Sequence, residues 1–206
     1  MSTLPHSPAA DRNKEPILAV LRRILGGRGT ALEIASGTGQ HAVWFAAALP
    51  GWTWQPTEAE VDMLPVIAGW IAEAGLSNVR PPLLLDVMAP RWPTPEAPFR
   101  ESFDAIYCAN MLHIAPWAAC IALMEGAARH LAPGGMLIAY GPYIEEDVPT
   151  APSNLAFDES LRARDPAWGI RRLQDVTAQA RRAGLVLKER HTMLANNLLV
   201  VFEAAA

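Results

Sequence analysis

Hydrophobic positions along this chain change period repeatedly, and the changes mark its elements. Ile17, Leu21, Ile24 and Leu25 recur at helical spacing and predict a helix over 14–25. The apolar run TALEIA at 30–35 predicts a buried strand. A helix over about 39–49 follows, ended by Pro50-Gly51, then a strand at 52–56, a helix at 60–74 and a strand at 82–87. Prolines crowd 90–98 (PRWPTPEAP), which excludes helix and central strand there. Beyond them the pattern predicts a strand at 103–109, a helix at 117–131 stopped by Pro133-Gly134-Gly135, and a strand at 136–141. A long connection with short helices leads to a helix at about 172–183, and strands near 185–191 and 197–203 close the pattern.

Strands alternating with helices predict an α/β fold: a three-layer, doubly wound, mostly parallel sheet of seven strands. The last two strands are too close in sequence for a crossover helix, so the final one should run antiparallel. The length of 206 residues suits one domain over 1–206, with 143–171 as an insertion before the closing elements.

Composition narrows the partners. Hydrophobic residues make up 51% of the chain, enough for a full core, and the net charge is −4. A nucleic-acid binder normally shows a basic balance or stripe, and neither is present, so no nucleic-acid partner is expected. The N-terminal residues MSTLPHSPAADRNKEP carry no apolar segment of signal-peptide length, and no run is long enough to span a membrane. Cys108 and Cys120 fit no zinc spacing and make no disulfide framework, so no metal is expected, and Cys108, in an apolar run, reads as a buried thiol. A cytoplasmic protein is the expectation. Nothing in the pattern specifies an oligomeric state.

The candidate chemistry lies at strand ends. Glu33-Ile34-Ala35-Ser36-Gly37-Thr38-Gly39 follows the first strand, and Gly37 and Gly39 allow a sharp turn and close approach to a ligand. In open α/β sheets, ligands sit at the carboxyl ends of the strands. Glu58 closes the second strand, where an acid can take both hydroxyls of a ribose, and Asp86 closes the third, where it can accept from an adenine amino group. Gly37-Thr38-Gly39-Gln40-His41-Ala42 also fits the G-x-G-x-x-A turn of nicotinamide dinucleotide sites. Glu33 discriminates: a pyrophosphate would not welcome its carboxylate, whereas the amino group of a methionine moiety would. Asn110 and His113 are polar residues in the apolar run after the fourth strand, and His113 reads either as a structural histidine or as a general base.

The form E-x-A-S-G-T-G resembles the E/D-x-G-x-G-x-G motif of class I S-adenosylmethionine-dependent methyltransferases, with Ala35 where that family usually has glycine. The segments ADRNKEPIL, LEIASGTGQHAVWFA, WQPTE, CANMLHIAPW, YGPY, TAPSNLAFDESLRARDPAWGIR and ANNLL resemble one uncharacterised methyltransferase-like family, that of methyltransferase-like protein 26, over about 10–202. The resemblance implies the Rossmann-like methyltransferase fold and S-adenosyl-L-methionine as cofactor, and it implies no acceptor. It implies that the N-terminal segment 1–15 covers the cofactor, with Arg12 and Asn13 folding over it. It also places Asn110 beside the methionine end and turns His113 and Trp117 toward the acceptor.

The stretch between the fifth strand and the next helix is dense in polar side chains. Ser153, Asn154, Asp158 and Arg162, beside Phe157 and Trp168, suit a pocket for a small polar acceptor. Their alternative is a structural network, with Asp158 capping a helix and Arg162 or Arg164 paired to Asp165. Tyr143 either walls the acceptor pocket, facing a sulfonium, or is an interior aromatic. Asn196 and Asn197 are candidates for the pocket rim. The functional expectation is a methyltransferase for a small polar molecule, with His113 as first candidate base, then Tyr143 or Asp158, and Asn154 holding the acceptor. Two alternatives stand beside it: a protein that binds S-adenosylmethionine without methylating, by other sulfonium chemistry or as a scaffold, and an NAD-dependent oxidoreductase.

Overall fold

The computed structural model describes residues 4–205. Eight strands form an open sheet: β1 (Gly29–Ile34), β2 (Trp52–Glu58), β3 (Leu83–Leu84), β4 (Phe103–Ala109), β5 (Leu131–Ile144), β6 (Arg171–Arg172), β7 (Leu185–Thr192) and β8 (Asn197–Ala204). Seven follow the order β3-β2-β1-β4-β5-β8-β7, and the two-residue β6 pairs with the far end of β5. The strands β1 to β5 run parallel, whereas β8 pairs antiparallel with both β5 and β7. The order turns back on itself at β1 and β4, where an open sheet leaves a crevice for ligands.

Helices cover both faces: α1 (Pro8–Ile24), α2 (Gln40–Ala48) and α3 (Leu64–Ala74) on one, α4 (Trp117–His130) and α6 (Leu173–Arg182) on the other. Strand parity sorts the side chains. Leu32 and Ile34 of β1, Ile106 and Cys108 of β4 and Leu137 and Ala139 of β5 pack beneath α4 and α6. Ala31, Ala105, Tyr107, Ile138 and Tyr140 pack beneath α1 and α2. The strands β1, β4 and β5 therefore bury apolar side chains on both faces, which is why these segments read as continuous apolar runs.

Several elements differ from the sequence pattern: the strand expected at 82–87 is reduced to β3, β5 extends the one expected at 136–141 at both ends and runs through Pro133-Gly134-Gly135, and the two-residue β6 is additional. The first helix begins at Pro8, six residues before the start predicted at 14, because Ser7 caps it by accepting from the Ala10 amide and proline suits the first turn. The expected short helices after β5 are one 13-residue helix, α5 (Pro152–Arg164). The proline run of 90–98 folds back on the sheet and plugs it with Trp92, wholly buried and stacked on His130, its indole N–H donating to the Val87 carbonyl at 3.0 Å. Both cysteines are buried free thiols, and burial pushes Cys120 up to about 12. Among the described residues no helix is long and apolar enough to cross a membrane.

Candidate functional site

The carboxyl ends of β1, β4 and β5 open on a cavity of about 710 Å³. The first turns of α1, the start of α5 and the turn before β8 roof it. Its volume lies within the ~300–1,000 Å³ usual for small-molecule sites.

The floor is the turn after β1. Hydrogen bonds lash it to β2: Ser36 N–H donates to the Thr57 carbonyl at 2.9 Å, and the Thr57 hydroxyl donates to the Glu33 carbonyl at 2.6 Å. Ala35 adopts φ 55° and Gly37 φ 57°, so the chain makes two left-handed steps in three residues. Glycine takes such a conformation freely, and alanine takes it at a cost of about 1–2 kcal/mol. A Cβ on Gly37 would meet nothing within 4 Å, so that side of the turn stays clear for a ligand. Gly39 serves differently. With φ 84° it caps α2, and a Cβ there would sit 3.0 Å from Ile67, so it lets α3 approach and does not line the cavity.

Glu33 lines the cavity while 2% exposed, and its carboxylate accepts from the Trp54 indole N–H at 2.5 Å. No cation pairs with it among the described residues. Burial holds its carboxyl up at about 8, against the pull of the Trp54 hydrogen bond and with a small push from Glu58. Glu58 ends β2 as expected, but its carboxylate turns toward the protein, accepting from Gly37 N–H at 2.7 Å and Ala59 N–H at 2.8 Å. Asp86 lies two residues beyond β3, exposed and off the cavity wall, with its carboxylate on the Met88 N–H at 2.9 Å.

The roof brings Arg12 and Asn13 to the cavity on the first turns of α1. Asn13 is buried, and its Oδ1 accepts from His41 Nε2 at 2.7 Å. Burial lowers His41 to about 4, so its ring is neutral at physiological pH. Of the expected cofactor-covering segment 1–15, residues 1–3 lie outside the described residues. Across the cavity, Asn197 Nδ2 donates to the Tyr140 hydroxyl at 3.1 Å. Burial raises Tyr140, and hydrogen bonds from Asn13 and Asn197 oppose the rise.

At the end of β4, Asn110 (φ 63°) turns the chain into the short turn Met111–His113 and lines the cavity, its own N–H donating to the Tyr140 carbonyl at 2.8 Å. His113 is 5% exposed and stands edge-on to Phe157, centroids 5.5 Å apart. Burial, then the nearby Arg171, lowers it to about 4. Ser153 and Asn154 reach the cavity from α5, and Asn154 Nδ2 is buried with no hydrogen-bond partner among the described residues.

Several expected acceptor residues lie elsewhere. Tyr143 sits on β5 with the parity of Leu137 and Ala139, so it faces the core beneath α4 and borders a second, small cavity with Asn196. Tyr140, three positions earlier and of the other parity, is the tyrosine that lines the main cavity. Asp158 and Arg162 form an ion pair at 2.9 Å, and Asp158 also accepts from the Ile170 N–H at 2.6 Å. Together they tie α5 to the chain entering β6. That is the network alternative, with Asp158 rather than Asp165 as the partner of Arg162. Trp117 lies outside the cavity, half-buried under the Arg171 guanidinium at 5.8 Å.

Sequence reasoning missed two contributors. Arg171 donates to the carbonyls of Leu112 at 2.9 Å, Ala115 at 2.6 Å and Ala167 at 2.8 Å, pinning the His113 turn to the chain before β6. Its signal was the arginine ending the WGIR segment. Leu194, in the turn before β8, reaches the cavity mouth, and nothing in its local pattern marks it.

The strand order, the crevice at β1 and β4 and the antiparallel β8 define a Rossmann-like methyltransferase fold. Solved structures with this fold include a mitomycin 7-O-methyltransferase, with TM-score 0.80 and 18% identity, covering 96% of this chain and 54% of that one. An O-methyltransferase family 2 protein from Planctomyces limnophilus, in complex with apigenin, has TM-score 0.73 and 17% identity, covering 93% and 62%. A methyltransferase of calicheamicin biosynthesis, in its SAH-bound form, has TM-score 0.74 and 13% identity, covering 96% and 55%. The chain thus spans little more than half the length of most of these. By sequence, the chain belongs to the family described as Protein of unknown function (DUF938), whose model matches residues 4–204.

Proposed function

We propose that this protein is an S-adenosylmethionine-dependent methyltransferase acting on a small molecule through a polar acceptor group. The observation that carries the reading is Glu33: a buried carboxyl that lines the cavity and is paired with no cation among the described residues. A buried carboxyl in that position is completed by a cationic ligand, and the α-ammonium of a methionine moiety is one. The residues fit the cofactor further. Gly37 leaves the turn clear on its Cβ side, Arg12 and Asn13 cover it from α1, and Ala35 and Asn110 border it. Glu58 stands at the end of β2 for the ribose and Asp86 beyond β3 for the adenine, each after turning from its present backbone partners.

The bound cofactor supplies an electrophilic methyl group. The chain's own residues orient the acceptor, exclude water and take a proton, and no larger catalytic array is required. His113, neutral and bordering the cavity, is the proposed base, and Asn154 positions the acceptor. The Rossmann-like methyltransferase fold agrees with this reading. We place the protein in the cytoplasm as one domain, with neither nucleic acid nor membrane as partner.

A nicotinamide dinucleotide fits less well. Its pyrophosphate would lie beside the buried Glu33 carboxyl and brings no cation to complete it. Calorimetry with S-adenosylmethionine, S-adenosylhomocysteine, NAD and NADP tests the assignment. The first two should bind in the micromolar range and the last two should not. NAD binding without S-adenosylmethionine binding would overturn it.

A further inference from the structure

The mouth of the cavity is apolar, which a polar acceptor does not explain. Ile114, Phe157 and Leu194 all line it and are 43%, 40% and 69% exposed. They come from three separate elements: the turn after β4, α5, and the turn before β8. Scattered exposed apolar side chains need no account, but three that line one cavity mark a ligand-binding edge. The turn that carries Leu194 supports this independently. Ala195 and Asn196 behind it are both left-handed, at φ 56° and 54°, and such strain collects at ligand clamps.

Deeper in the lining is polar, and on the α5 side it carries the buried Asn154 and His113. Asn154 lines the cavity while 7% exposed, and its Nδ2 has no hydrogen-bond partner among the described residues, so an acceptor atom of a ligand that the side chain turns toward would satisfy an otherwise unsatisfied buried amide. Asn154 and Phe157 lie three residues apart on one face of α5, and Phe157 touches the His113 ring. Asn154, Phe157 and His113 therefore converge. The His113 ring nitrogens have no hydrogen-bond partner among the described residues. Among the described residues Arg12 is the one permanent cation lining the cavity, and it belongs to the α1 side. A carboxylate acceptor would go unmatched at the α5 side, and an amine would find no acid there.

We infer that the acceptor is a largely apolar, ring-bearing molecule methylated on a single hydroxyl, of the phenol class. This rests on the methyltransferase reading above and deepens it. The ring lies between Phe157, Ile114 and Leu194, the hydroxyl oxygen accepts from Asn154 Nδ2, and the hydroxyl proton faces His113. In the transfer, the acceptor oxygen forms a bond to the methyl carbon as the carbon–sulfur bond breaks with its electron pair left on sulfur. The hydroxyl proton passes to the His113 imidazole and then to solvent. The sulfonium charge is thereby lost and one proton released, so atoms and charge balance.

The test uses the full chain saturated with S-adenosylhomocysteine and titrated calorimetrically with 2-naphthol, ethanolamine, glycine and benzoate. Only 2-naphthol should bind. Leu194→Ser, at an exposed position, should weaken 2-naphthol about threefold or more without changing the melting temperature, and Asn154→Ala about tenfold. Asn154→Ala should leave S-adenosylhomocysteine affinity within about twofold, since it acts on the acceptor side alone. His113→Gln should bind 2-naphthol within about twofold of wild type yet transfer methyl to it about a hundredfold or more slowly. The inference fails if ethanolamine, glycine or benzoate binds as well as 2-naphthol, if Leu194→Ser binds it unchanged, or if 2-naphthalenethiol is methylated and 2-naphthol is not. A protein that binds S-adenosylhomocysteine but no naphthol overturns the acceptor class alone. A protein that does not bind S-adenosylhomocysteine overturns the methyltransferase reading beneath it.

Discussion

Cofactor binding should release a proton from Glu33. In the free protein burial holds this carboxyl up at about 8, so it is mostly neutral at pH 7. Ionising it at that pH costs about 1.4 kcal/mol, one pH unit's worth. An ammonium about 4 Å away returns about 4 kcal/mol at the effective dielectric of a protein site. Attraction exceeds cost, so the carboxyl should ionise as the ligand's ammonium arrives. Nearly one proton should leave per ligand at pH 7, and affinity should rise about tenfold per pH unit between roughly pH 6 and 8 before levelling. Glu33→Gln removes the ionisation while its side-chain carbonyl still accepts from Trp54 Nε1. Affinity of the variant should be flat with pH and, at pH 8, on the order of a hundredfold below wild type.

The same substitution tests stability. A carboxyl raised from 4.5 to about 8 on folding costs about 1.4 kcal/mol of stability per pH unit as pH rises across that window. By pH 7 the cost is on the order of 3 kcal/mol, and Glu33→Gln should recover it while matching wild type near pH 4.5. Calorimetry in phosphate and in Tris, whose ionisation heats differ, counts the protons, and urea titrations read the stability. Equal binding heats in both buffers, or a variant that keeps the wild-type pH profile, would refute the reasoning.

The other predictions are simpler. His41 and His113, lowered on folding from 6.5 to about 4, should cost stability as pH falls through that window, because the unfolded chain takes up protons first. At pH 5 each should cost on the order of 2 kcal/mol, read by urea denaturation in Glu33→Gln so that the opposing carboxyl is silent. Ala35→Gly should relieve the left-handed turn and raise stability by up to about 1 kcal/mol with cofactor affinity unchanged, measured by thermal denaturation and calorimetry. A marked loss of stability would show that the methyl group of Ala35 packs usefully.

Period and turn chemistry were enough to read the parallel sheet, its antiparallel close and the ligand-facing turn at Glu33 to Gly37, because those signals are local. A strand buried on both faces is apolar throughout, a helix keeps its spacing, and Pro133-Gly134-Gly135 stops a helix wherever it occurs. Asn110, His113 and Asn154, singled out as polar residues beside apolar ones, border one cavity. What the chain could not show by itself was which way a side chain turns once elements meet. Tyr140 and Tyr143 look alike in sequence, and only the pairing of β5 between β4 and β8 puts one in the cavity and the other in the core. Asp158 and Arg162 read as pocket residues until the chain before β6 came within reach and consumed both. Leu194 is one more leucine until its turn is set against α5 and the end of β4. Burial and pairing depend on residues distant along the chain, so tertiary structure alone decided the pKa of Glu33, the free amide of Asn154 and the apolar mouth above them.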